Sequence, residues 1–515
     1  MGRAGLKAGI RPFPKQLAFQ RAATHADLMD CSSSTDPGAV PGSPWHGPQG
    51  YGRILRISLP LVASMGSTTL MLFTDRIFLG RYSVEAIAAS TPSGLLAFTF
   101  SAFFLGVASY VNTFVAQYTG SGRPEGVGHS LWQGLYFAAA ASVLLAALSL
   151  VGPPVFRFAG HAPGVQVLET VYFRVLMLGG GLFVFQETLA CFFSGRGLTK
   201  VIMIVTLTGA AINIPLDYAL IHGAWGFPEL GIFGAGLATL AGHLLMAVLY
   251  IGLVFTRSHN QAFGVMRNWR LDRELFGRLI RFGGPAGLQF FMDIFAFSFF
   301  LMVVGRLGTV ELAASNIAFA INTLAFLPMV GFSIATATLV GQAMGREDPL
   351  AARRVTLRIL KLTFLYMVSV ALAFVLWPGP LVNLFQSGGA PGPGEESIRA
   401  TSIVILRFVA AYTLIDTVNV ILSGTLKGAG DSRFVGWTIA LGSLGLFIVP
   451  VYLGIMVFGA GLYFAWGVVT FYVFAVAVMF TWRYRQGKWA SMRVIEPHPR
   501  PVTSPPGVPS IDDVL

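Results

Sequence analysis

A chain of 515 residues would ordinarily form roughly three or four soluble domains, but 54% of this one is apolar and only 11% charged, with mean hydropathy +0.68. Soluble proteins are roughly a quarter charged, so a water-solvated fold is excluded and lipid is the solvent that fits. The net charge of +12 then reflects membrane topology rather than nucleic acid, because basic residues collect in cytoplasmic loops.

Residues 1–52 are rich in Gly, Pro, Ser and basic side chains and lack the apolar core of a signal peptide. They are expected to be a disordered cytoplasmic tail or an over-long gene start. Apolar runs follow at 54–80, 87–118, 129–152, 167–195, 199–222 and 231–256, then at 278–305, 311–342, 355–378, 400–424, 434–457 and 460–483. They are continuous and far longer than the alternating strands of an outer-membrane barrel. Helices satisfy their own backbone hydrogen bonds in lipid, so the expected fold is an all-α polytopic membrane protein of about twelve helices. Between the sixth and seventh runs, 257–277 reads as a basic linker. The Pro-rich end, 485–515, reads as a second disordered tail.

With the N-terminus inside, 28 of the 35 basic residues fall on the inner side, which places both termini in the cytoplasm. The halves repeat. FLGRYSVEAIAAS ending at Ser90 matches VVGRLGTVELAAS ending at Ser315, an offset of 225, and VAQYTG ending at Gly120 matches VGQAMG ending at Gly345. Pro60 and Pro285 share that offset, and FFSGRGLTK matches TLKGAGDSR less closely. Each half has six runs and starts on the same side, so two parallel lobes, 53–256 and 278–484, are expected to face one cavity.

A carboxylate at the bilayer centre costs roughly 2.5–3.5 kcal/mol and needs a role. Asp75, Glu187, Asp217, Asp293 and Asp416 are the acidic residues read as lying within spans. Asn213 and Asp217 share one helix face, as do Gln289 and Asp293. Such a pair can supply hard oxygen ligands to Na⁺, carry a proton, or merely join neighbouring helices. Cys31 and Cys191 have no metal or disulfide spacing, His243 has no partner at metal spacing, and no nucleotide-binding loop or nucleophile elbow appears. Energy must then come from an ion gradient, with no cofactor beyond the coupling ion. The 43 phenylalanines and 16 methionines mostly face lipid or pack helices. Pro60, Pro285 and Pro328 are expected to bend their helices, and Gly179, Gly180 and Gly181 to permit close contact or bending.

GRLGTVELAASNIAFAINTLAFLPMVGFSIATATLVGQAMG (305–345), TDRIFLGRYS (74–83), INIPLDYALI with GFPELGIFGAGLAT (212–239) and SGTLKGAGDS (423–432) together resemble the multidrug and toxic compound extrusion family. The resemblance runs in order over about 53–483. It implies an exporter of cationic or amphipathic organic compounds in exchange for Na⁺ or H⁺, working as a monomer in the inner membrane without nucleic acid. In the DinF-like branch the coupling site would fall on Asp75, Asn213, Asp217 and Thr239. In the NorM-like branch it would fall at Asp293, where that branch has Glu, and Asp416, with Gln289 beside them. The chain thus carries features of both branches. A lipid-linked-sugar flippase of the same superfamily is the rival, and the scarcity of arginine within spans (Arg174 and Arg407) argues against it. No catalytic constellation supports an enzyme, and a scaffold would not need buried carboxylates in both lobes.

Overall fold

The computed structural model describes residues 45, 47, 49–384 and 394–497. Most of the two expected tails, 1–44 and 498–515, lies outside the described residues.

Among the described residues, twelve helices are long and apolar enough to cross a bilayer. They are α1 (Tyr51–Tyr82), α2 (Val84–Gly120), α3 (Pro124–Phe158), α4 (Pro163–Ser194), α5 (Thr199–His222), α6 (Gly231–Val254), α7 (Arg273–Val304), α8 (Thr309–Gly345), α9 (Pro349–Leu376), α10 (Glu395–Ala429), α11 (Ser432–Val457) and α12 (Leu462–Gln486). Among the described residues there is no strand. Several helices start about a turn before the apolar run because polar caps carry them outward. Asp272 accepts the N–H groups of Glu274 and Leu275 at the start of α7, and Asp348 accepts that of Ala351 at the start of α9. Ser83 alone separates α1 from α2 and caps the latter.

The helices are not straight. Pro60, Pro285 and Pro328 lie inside α1, α7 and α8, as expected, and Pro92 and Pro215 inside α2 and α5. Each removes one intrahelical donor. α4 is interrupted at Gly179. A Cβ there would stand 1.9 Å from Leu240, and one on Gly181 the same distance from Ser142 Oγ, so the glycine run serves close contact between helices. In α11, π-helical turns at Ser443–Ile448 and Leu453–Val457 flank Pro450.

The sequence repeat is realised as reciprocal contacts between the first six helices and the last six. A Cβ on Gly106 of α2 would meet Gly287 Cα of α7 at 2.7 Å, and one on Gly331 of α8 would meet Val62 N of α1 at 3.0 Å. Adding 225 to 106 and 62 gives 331 and 287. Gly120 likewise touches Gln342 while Gly345 touches Gln117, both at 2.1 Å from the built Cβ to the carbonyl oxygen. Gln117 Nε2 donates to the Gly428 carbonyl (2.9 Å) and Gln342 Nε2 to the Gly195 carbonyl (3.0 Å). Two-fold symmetry along the membrane normal accounts for all three pairs.

Further hydrogen bonds between the halves lie at this same end. Arg53 Nη2 donates to Gln342 Oε1 (2.9 Å), Tyr110 Oη to the Lys427 carbonyl (3.0 Å) and Asn112 Nδ2 to Thr338 Oγ1 (3.1 Å). This end carries the basic residues, and the halves meet tightly there. The outer surface exposes Leu144, Leu365, Leu372, Phe471 and Trp482, a ring that only lipid can cover without cost. The segment after α12 departs from expectation. Rather than opening a disordered tail, 487–496 turns back at Gly487 (φ 70°) and buries Trp489, Val494 and Ile495, because those apolar side chains find a cleft between helix ends.

Candidate functional site

α1 buries Ile57, Leu61, Ser64, Met71, Asp75 and Leu79, an inward stripe at helical spacing. Its lower part packs on α5 through Ser64 Oγ, which accepts from Thr206 Oγ1 (2.8 Å). The upper part places Asp75 opposite Asp217, whose carboxyl is its neighbour across the helix pair. Asp75 is 7% exposed, Asp217 1% and Asn213 2%. Pro215 sits in the turn between Asn213 and Asp217 and leaves one carbonyl of α5 without its usual donor. Close approach of α6 fixes Asn213 from behind, since a Cβ on Gly242 would stand 3.0 Å from Asn213 Cβ.

The third wall is α4. Tyr172 is buried, and its hydroxyl donates to Asp75 Oδ2 at 3.3 Å. The other Asp75 oxygen and both Asp217 oxygens are buried without a hydrogen-bond partner. Two facing carboxylates repel and are desolvated, so the site is complete only with a counter-charge. A proton shared by the pair would supply it, and so would a hard cation held by these oxygens and the Asn213 amide. The structure therefore brings Asp75, Asn213 and Asp217 to one place. Thr239 is half-buried, and its hydroxyl donates to the Ala235 carbonyl of its own helix (3.0 Å), which leaves its oxygen lone pairs free to accept.

In the last six helices, Gln289 and Asp293 of α7 face Asp416 of α10. Gln289 Nε2 donates to Ser423 Oγ (3.4 Å), and Asn419 Nδ2 donates to Asp416 Oδ1 (3.2 Å) and to the Val473 carbonyl (3.0 Å). Asp293 feels the charges of both Asp416 and Lys427. Unlike Asp75, it is exposed, while Asp416 is half-buried, so this second cluster is less enclosed than the first.

Four residues escaped sequence reasoning. Tyr172 carries no charge and no motif. Lys427 reads as a loop cation, yet a helical side chain leans toward its own N-terminus, which brings its ammonium back along α10. Asn419 and Glu169 are the others. Glu169, near the start of α4, is fully buried and takes a 2.7 Å bond with His161 Nδ1, so the acidic residues within spans are not confined to the five expected. Spacing could have found Lys427, since 416, 419, 423 and 427 form one face of α10. Glu187 is half-buried beside Cys191 of its own helix, and its neighbour Gln186 bonds His243 of α6 at 2.5 Å.

The family model MatE matches residues 60–219 and 285–453, which takes in both clusters. Among curated proteins, a "Probable multidrug resistance protein NorM" of Rhizobium meliloti is 28% identical over 84% of this chain and 92% of its own length. One of Bradyrhizobium diazoefficiens, under the same name, is 29% identical over 77% and 84%. Among solved structures, a multidrug resistance MATE family transporter of the MOP superfamily in an outward-facing conformation superposes with TM-score 0.76 at 21% identity, over 86% of this chain and 97% of that one. A MOP superfamily transporter from Pyrococcus furiosus gives 0.77 at 21% identity, over 87% and 98%.

Proposed function

Because the chain belongs to the MatE family of multi-pass membrane transporters, we propose that it exports cationic or amphipathic organic compounds across the inner membrane by H⁺- or Na⁺-coupled antiport. The family is one of transporters, not enzymes. The observation that carries the coupling is the sealed Asp75–Asp217 pair with three unbonded buried oxygens. Occupied by a proton or Na⁺, the pair loses its mutual repulsion, and α1 can pack more closely on α5. Emptied, it repels, and α1 shifts. A coupling ion drives transport only by binding these two states unequally. One charge crossing 100 mV yields about 2.3 kcal/mol, enough for roughly 50-fold accumulation per ion. The Asp293–Asp416 cluster, in which Asp293 is exposed, is the natural seat for an organic cation, since its carboxylates are less enclosed than the Asp75–Asp217 pair.

Lys427 beside Asp293 favours a second reading, a lipid-linked or anionic metabolite substrate. The test is efflux of cationic dyes from inverted or reconstituted vesicles under an imposed pH or Na⁺ gradient, with Asp217→Asn alongside. Efflux driven by one gradient and lost in the variant is the expected result. Full efflux in the variant removes the coupling role, and no efflux of any cationic dye moves the substrate to the second reading.

A further inference from the structure

We propose that residues 487–496 form a latch, with Glu496 as its bolt, that holds the two halves together at the basic end and leaves before that end opens. The segment belongs covalently to the last six helices, but its contacts reach both halves. Val494 N–H donates to Gln117 Oε1 of α2 at 3.0 Å, and the Val494 side chain lies 3.2 Å from a Cβ built on Gly430. Arg493 Nη1 bonds Glu347 Oε1, between α8 and α9, at 2.6 Å.

Glu496 then closes the bridge. Arg123, between α2 and α3, bonds its Oε1 at 3.0 Å and its carbonyl at 2.7 Å; Arg278 of α7 bonds its Oε2 at 2.6 Å. Tyr118 Oη donates to the same carboxylate at 2.9 Å. One carboxylate thus joins an arginine from each half. Its presence reverses the sign of the local force, because two guanidiniums gathered around one anion would repel without it. Glu274 on α7 also bonds Arg278 and offsets part of that repulsion, but among the described residues Arg123 has no acidic partner other than Glu496. The latch is not symmetric. Gln117 and Gln342 are equivalents in the repeat, and the acceptor that takes Val494 on Gln117 takes Arg53 on Gln342. The tail therefore supplies to one side of the closure what the residue at the start of α1 supplies to the other.

The inference rests on the transport reading only in requiring that the halves separate, and it is tested without dye or coupling ion. In full-length protein in nanodiscs, with Cys31 and Cys191 replaced by serine, spin labels go on the exposed positions Glu125 and Arg354, one on each half. The label separation reports closure at this end. Glu496→Gln is expected to raise the share of the longer separation about 10-fold, and a chain ending at Met492 to do at least as much. Adding Arg123→Gln to Glu496→Gln is expected to bring the share part of the way back, because it removes the repulsion. A segment that only stabilised the fold would make the double variant worse. Distance distributions identical in wild type, Glu496→Gln and the shortened chain would overturn the proposal, whatever the efflux assays give.

Discussion

Tyr172 is the only side chain bonded to the Asp75–Asp217 pair among the described residues, through one long hydrogen bond of 3.3 Å. Tyr172→Phe removes that donor and nothing else of size. The loss of one such bond, roughly 1 kcal/mol, is expected to move the half-maximal coupling-ion concentration for efflux by about 5-fold while dye binding is unchanged. A half-maximal concentration equal to wild type would remove Tyr172 from the site. Glu496, outside the membrane, follows a different logic. Burial by itself would raise its carboxyl, but its own backbone N–H, the Arg278 and Tyr118 bonds and the Arg123 charge outweigh burial and hold it below the ordinary 4.5. A lowered carboxyl contributes fully above its unfolded value and is lost as pH falls through the folded one. The closed share in the spin-label experiment is therefore expected to be flat from about pH 5.5 to 8 and to fall only below about pH 4.5. A fall between pH 6 and 7 would mean that a histidine, not Glu496, governs closure.

At the scale of helices, α2 and α8 meet the opposite half through glycines that cannot grow. A methyl on Gly120 or Gly345 would come within 2.1 Å of the Gln342 or Gln117 carbonyl, and backbone atoms do not yield as flexible side chains do. Overpacking of this kind costs roughly 1–3 kcal/mol, a 5- to 150-fold bias against the closed basic end. Gly120→Ala and Gly345→Ala are expected to give similar bias, because the repeat makes their surroundings equivalent. The Glu125–Arg354 label separation measures it. A large effect from one and none from the other would show that the closure is not two-fold. α4 shows the complementary use of glycine. Its interruption at Gly179 lets the outer part carry Tyr172 to Asp75 while the inner part packs on α3 at Ser142.

For the whole molecule, the halves are held at the basic end by reciprocal glutamines, glycines and the latch, while Asp293 is exposed. In the proposed mechanism, rocking about such an axis would exchange these contacts for others at the far end. The charge bias predicts the direction: an impermeant thiol reagent added to intact cells is expected to label Arg157→Cys and not Glu125→Cys, in a background without Cys31 and Cys191. Labelling of Glu125→Cys alone would invert the topology and, with it, the assignment of the latch to the cytoplasmic face.

The sequence by itself determined the twelve helices, the parallel repeat and the family, because lipid demands long uninterrupted apolar helices and a duplicated chain keeps its glycines and prolines at one offset. It also singled out Asp75 and Asp217, with Asn213 on the same helix face as Asp217, since charge inside a span is rare enough to stand out. Only the tertiary structure decided that Tyr172 reaches Asp75, that Thr239 bonds its own helix, that Glu169 is buried and that the charge of Lys427 acts on Asp293. Each depends on the rotation of one helix against another, which no local pattern fixes. The latch was illegible for the same reason. A Pro-rich, weakly apolar end reads as disorder until the cleft that receives Val494, Ile495 and Glu496 exists, and that cleft is built in part by helix ends more than two hundred residues away in the chain.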